Sequence, residues 1–224
     1  MLDDVGWRWI TFIALTMIKR FAFTVITLTL FGRYGYAQSY RDSIMRWQHE
    51  YKTEFLSDPR SPVKAGDTGF IRFFSIDQGW RVMAKVVPTP EAKAFDMATH
   101  SGKTKKFRSW ARLKFANPVS RGLNYYTLVA YERIDPSKGD TISPVTLFIP
   151  FNDETNLSST YGGGRYIDIP KSAVKDGYLI LDFNKAYNPY CAFGEGFSCP
   201  IPPIENKLPV EVRAGEMVWA KKEK

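Results

Sequence analysis

Cysteine and histidine are scarce in this chain: each occurs only twice in 224 residues. His49 and His100 stand far apart and far from Cys191 and Cys199, so the ligand spacings of a metal cluster are missing and no resident metal is expected. The Cys-x-x-Cys pair of redox proteins and the G-x-G-x-x-G dinucleotide fingerprint are missing too, and no cofactor is expected. No uninterrupted apolar run reaches the ~20 residues that a membrane-spanning helix needs. Blocks of like charge, internal repeats and low-complexity tracts do not occur, which sets the chain apart from disordered and solenoid proteins.

What is present is an ordinary globular composition, 44% hydrophobic and 15% aromatic, enough for one sizeable core and one or at most two domains. The formal net charge is +8. Arg8, Lys19, Arg20 and Arg33, against Asp3 and Asp4, supply two of those charges, and the rest of the chain keeps a surplus of six. A surplus of that size favours solubility and a weak pull toward anionic surfaces, and by itself names no partner.

Residues 17–37, MIKRFAFTVITLTLFGRYGYA, have the order of a secretory leader. Lys19 and Arg20 come first, then the apolar stretch Phe21 to Phe31, then small residues at Gly35 and Ala37. The expectation is a leader over 1–37 with translation starting at Met17, cleavage after Ala37, and a single β-rich domain over 38–224. The protein is then exported, to the periplasm or beyond, with no stable membrane span. The alternative is an uncleaved anchor from Val5 to Phe31, which puts Lys19 and Arg20 inside the bilayer at a cost of ~2.5–3.5 kcal/mol each. In an oxidising compartment the two cysteines, eight positions apart, most simply form one disulfide around the loop AFGEGFS.

Beyond the leader a single helix stands out, Ser39 to Leu56. Ser39 can cap it, and Tyr40, Ile44, Trp47, Tyr51 and Phe55 recur at helical spacing as an apolar stripe, read as core. The turn-rich SDPRSPVKAGDTG ends it. Ten short strands follow: Phe70–Ser75, Trp80–Val87, Ala94–Thr99, Lys106–Phe115, Leu123–Arg133, Val145–Phe151, Arg165–Ile169, Tyr178–Asn184, Pro209–Arg213 and Met217–Ala220. Tight turns such as DQG, HSGK and KDG separate them. The fold class is mainly β (α+β): an antiparallel β roll, barrel or sandwich with the N-terminal amphipathic helix packed on it. In Lys106–Phe115 the odd positions Phe107, Ala111, Leu113 and Phe115 are apolar, predicting one packed face. Lys106, Arg108, Trp110, Arg112 and Lys114 predict an opposite face that is wet and basic. Such a face suits nucleic acid, but export removes that partner and no nucleic acid is expected. A polyanionic glycan or a membrane surface is favoured over nucleic acid as a partner, and the plainer reading is a charged outer strand that guards against edge pairing.

Function is most legible after residue 150. TYGGGRY sets three glycines beside Arg165, between Tyr161 and Tyr166. Such a loop can turn N–H groups toward an anion while the guanidinium adds a two-pronged donor, and it can equally be a tight structural connection. Asp182 closes an apolar strand and needs a partner, for which Arg165 is the first candidate. Asn184 and Asn188 suit loop capping, and the prolines of CPIPPIEN hold Glu205 and Asn206 in place. The favoured function is binding of a small polar or anionic ligand at a loop rim around Arg165, with Tyr161, Tyr166 and Tyr187 as walls and Asp182, Asn184, Glu205 and Asn206 nearby. One alternative is a hydrolase using Asp182 and Glu205 as paired carboxylates, with Asp153 as a third candidate. Another is a purely structural envelope protein. Without a catalytic histidine or a nucleophile elbow, the sequence leans away from an enzyme.

The order LFIPF, TYGGGRY, LDFNKAYNPYCAF, CPIPPIEN and AGE resembles the bacterial DUF1684 family, a domain of unknown function whose members are exported or envelope-associated. The resemblance runs from about Tyr40 to Glu216. It implies motif positions at Asp153, Tyr161, Gly162, Gly164, Arg165, Tyr166, Asp182, Asn184, Tyr187, Asn188, Pro189, Cys191, Cys199, Pro200, Glu205, Asn206 and Glu216. Where the family commonly carries a glutamate before the Thr-Tyr pair, this chain has Ser159. The family implies no reaction.

Overall fold

In the computed structural model the described residues are 38–118, 124–135, 141–142 and 145–220. The expected leader, its Met17 start and the alternative anchor lie outside them. Among the described residues no helix is long and apolar enough to cross a membrane. The chain divides into two units, Met1–Met45 and Arg46–Lys224. The sheet, the disulfide and the cleft all belong to the second.

An α-helix covers 38–57. After it the fold is mainly β, with strands β1 (Arg81–Pro88), β2 (Ala94–Ala98), β3 (Thr104–Ala116), β4 (Tyr125–Asp135), β5 (Thr141–Ile142), β6 (Thr146–Phe151), β7 (Arg165–Pro170) and β8 (Tyr178–Asp182). They build one antiparallel, barrel-like sheet in the order β7-β6-β4-β3-β1-β8, with β2 beside β3 and β5 beside β4. Alternation decides which side chains fill it. Ala84 and Val86 of β1, Leu113 and Phe115 of β3, Leu128 and Ala130 of β4, Ile167 and Ile169 of β7, and Leu179 and Leu181 of β8 all point into one core.

Seven of the expected strands form, and the two-residue β5 was not anticipated. Phe70–Ser75, Pro209–Arg213 and Met217–Ala220 are not strands. In the stretch after Pro209 the apolar residues are buried for another reason. Val212 and Ala214 enter the core, but their backbone groups bond to side chains: Val212 N–H to Asp153 Oδ1, and the carbonyls of Val212 and Ala214 to Arg165. With ladder partners replaced in this way, a strand has nothing to pair with.

The reading of β3 also needs correction. Its pairing with β4 slips between Ser109 and Ala111, leaving Trp110 as the extra residue of a bulge. The bulge turns the strand over. Ala111, Leu113 and Phe115 face the main core, whereas Phe107 faces a second cluster with Met97, Val129 and Tyr131 on the opposite side of the sheet. Both faces are therefore packed, in place of one packed and one basic face. Arg112 and Lys114 stay exposed, and Arg108 pairs with the buried Glu132 at 2.8 Å.

Candidate functional site

Arg165 opens β7 with its side chain on the core face, as fully buried as any residue in the protein. Nη2 donates to Asp153 Oδ2 at 2.8 Å and to the Val212 carbonyl at 2.9 Å. Nη1 donates to the carbonyls of Ala214 and Glu216, and the guanidinium lies 5.3 Å from the centre of the Phe151 ring. Asp153 Oδ1 meanwhile accepts from Thr155 N–H, the Thr155 hydroxyl and Val212 N–H. The expected Arg165–Asp182 pair is thus replaced by Arg165–Asp153, and the guanidinium is a staple between β7, the loop after β6 and the segment 212–216. Burial pulls the arginine pKa down and the charge of Asp153 pulls it up. Gly164, at φ 87°, admits the turn into the staple: a Cβ there would stand 2.8 Å from the Phe151 carbonyl oxygen.

The other expected residues are spread over several neighbourhoods. Asp182 accepts from the Asn184 backbone and side chain, and Asn184 clamps both backbone groups of Asp77. Asn206 bonds Val129 N–H, Val129 C=O and Pro150 C=O, taking the place of a ladder where β4 and β6 part. Glu205 is exposed and accepts from Tyr131 Oη at 2.8 Å. Asp182 and Glu205 therefore do not converge as a carboxylate pair. Tyr161 stacks edge-on with His100. Cys191 and Cys199 form a disulfide.

Tyr166 and Tyr187 do meet, ring against ring at 5.8 Å, in a cleft of 970 Å³. One wall is the helix, through Trp47, Tyr51 and Phe55. A second is the outer face of the sheet, through Phe107, Phe148 and Tyr166. The third is the segment 185–200, with Tyr187, Tyr190, Phe197 and Cys199. Tyr187 Oη donates to Asp168 Oδ2 at 2.6 Å. Asp168 reaches solvent through the cleft, yet its surrounding walls strip water from the carboxylate and raise its pKa, against the Tyr187 hydrogen bond.

Two cations stand on this face. Register places Arg133 opposite Phe107, and Lys105 lies two residues before Phe107 on the same side, turned there by the bulge. Burial lowers the Lys105 pKa and the positive charge of Arg133 lowers it further. Among the described residues neither has a carboxylate within ion-pair distance. The two like charges stand beside the aromatic walls, and the same cleft is also lined by the carboxylates of Glu50, Glu54 and Asp168.

The sequence profile of the family described as protein of unknown function (DUF1684) matches residues 69–217. The chain belongs to the DUF1684 family. An uncharacterized protein from Haloarcula marismortui, solved by solution NMR, is 30% identical to it; the alignment covers 79% of this chain and 97% of that one, at a TM-score of 0.56. Among curated proteins none matches. The DUF1684 match takes in Lys105, Arg133, Asp168 and Tyr187 but begins after Trp47 and Tyr51, which supply the helix wall. Sequence reasoning assigned those two rings to the core. It also passed over Asp168, whose polar side chain at an outward position of Arg165–Ile169 was a usable signal. Lys105 and Arg133 gave none, because the bulge that turns Lys105 leaves no mark in the alternation.

Proposed function

We propose that this DUF1684 protein binds a small molecule with a flat, apolar body and one anionic group, seated in the cleft between the helix, the outer sheet face and the segment 185–200. The anion sits at Lys105 and Arg133 rather than at Arg165, and the body lies against Tyr51, Phe148, Tyr166 and Tyr187. The observation that carries the reading is the pair of adjacent cations, neither with an ion-pair partner among the described residues, inside an aromatic-walled cavity of ligand size. The test is a calorimetric titration with naphthalene-2-sulfonate and with its neutral sulfonamide. Saturable binding of the sulfonate, lost in Lys105→Gln/Arg133→Gln, supports the proposal. Equal binding of the sulfonamide, or an unaffected double variant, overturns it.

We also infer that the protein works outside the cytoplasm. The Cys191–Cys199 disulfide supports this, since such bonds persist in oxidising compartments. The intact mass of protein from its native host tests it: an N-terminus at Gln38 is expected, and a retained leader contradicts it.

A further inference from the structure

The outer surface of the sheet continues on the far side of the bulge, where β8, β1, β3 and β4 lie side by side. Register fixes its rows. Ile180 pairs with Met83, Tyr178 with Lys85, and Lys85 with Lys114. Tyr125 closes the row on β4, opposite Ala116. These side chains face out because their neighbours face in: Ala84, Leu113, Leu179 and Leu181 are each at most 2% exposed. Met83 is 65% exposed, Tyr125 74%, Tyr178 44% and Ile180 40%, an unusual gathering of large apolar groups on one sheet face. Lys85 and Lys114 stand among them and Arg112 one row beyond, and none of the three has an ion-pair partner among the described residues. No acidic side chain occupies the registered positions from Met83 to Val87, Arg112 to Ala116 or Tyr125 to Thr127 that point outward.

We propose that this face docks on an anionic lipid bilayer. The three cations answer the negative headgroups, and Met83 and Ile180 enter the boundary between headgroups and acyl chains. Tyr125 and Tyr178 flank them at interfacial depth. The choice of a bilayer over another polyanion rests on the exposed aliphatic pair Met83–Ile180. A nucleic acid asks for rings on which bases stack, and here the two tyrosines stand three strands apart, on β8 and β4, with Met83 of β1 between them and Ile180 two residues along β8 from Tyr178. A sulfated glycan has no use for buried aliphatic surface.

The test is hydroxyl-radical footprinting of the full chain, with mass spectrometry reading oxidation at Met83 and Tyr125. Vesicles of phosphatidylglycerol and phosphatidylcholine, pure phosphatidylcholine vesicles, and heparin are compared. Reading the face itself separates this contact from any made by the N-terminal residues. The account expects protection of Met83 and Tyr125 by the anionic vesicles alone. Lys85→Gln/Lys114→Gln should weaken that protection roughly 30-fold in the lipid concentration required. Unchanged oxidation of Met83 with anionic vesicles overturns the proposal, even if the protein sediments with them. So does protection by heparin without protection by vesicles. Protection by neutral vesicles to the same extent also overturns it, because charge then plays no role.

Discussion

Arg165 shows how a side chain suited to catching an anion becomes a structural element. Its charge is matched by Asp153, and three backbone carbonyls accept from its two Nη groups, while Nε–H is buried without an acceptor. Replacing it by leucine leaves Asp153 buried and unpaired, which costs about 3–5 kcal/mol. Adding Asp153→Asn should return some of that loss. Chemical denaturation of the two variants checks this, and the cleft's affinity for an anion should be unchanged in whatever folds. At this scale the sequence was half legible. The glycines, the arginine and the need of a buried charge for a partner could all be read from TYGGGRY. The partner could not, because Asp153 and Asp182 both follow apolar strands, and only the path of 212–216 decides between them.

At the scale of elements, the part of the helix from Arg46 onward is tied to the rest of the second unit by Glu216. Tyr51 Oη and Asn188 N–H both donate to Glu216 Oε2 at 2.8 Å. Burial nevertheless pushes the carboxyl up from 4.5 to about 8, outweighing those donors and the charge of Arg165. Glu216 Oε1 is a buried acceptor without a donor, and protonation removes the charge that burial disfavours. The sign follows directly. The folded state holds this proton more tightly than the unfolded state, so the stabilisation is complete below about 4.5 and disappears as pH rises through about 8. Between those limits stability falls by up to about 1.4 kcal/mol per pH unit from this group. Glu216→Gln keeps an acceptor for Tyr51 and adds a donor, so its stability should lose that component of the slope. Thermal melts across the window measure it, and an identical slope in both proteins contradicts the assignment. Among the strands, those with alternating patterns were legible as elements. The chain from Pro209 to Ala220 was not, since apolar spacing cannot tell a ladder from backbone held by side chains at Val212 and Ala214 or by single bonds to scattered loops at Glu216, Met217 and Val218.

For the whole molecule, one irregularity decides how the sheet's outer surface is divided. The bulge at Trp110 divides the sheet's outer surface into a region lined with Phe107, Lys105 and Arg133 and a region that presents Arg112 and Lys114. Period-two reasoning placed Lys106 to Lys114 on one wet face, and the inserted residue broke it. The mainly β fold, the disulfide and the concentration of unusual residues after 150 were legible because each leaves a local mark. The cleft was not, because it joins a helix, a bulged strand end and the disulfide segment, which are far apart in the chain.

Calorimetric titration of naphthalene-2-sulfonate into the wild-type protein and Lys105→Gln/Arg133→Gln tests that cleft most directly. Wild type should bind with one site, roughly tenfold or more tighter than the double variant. Its affinity should fall as pH climbs through the depressed Lys105 pKa, below the usual 10.5. Equal affinity in the two proteins, with both folded, would contradict the account.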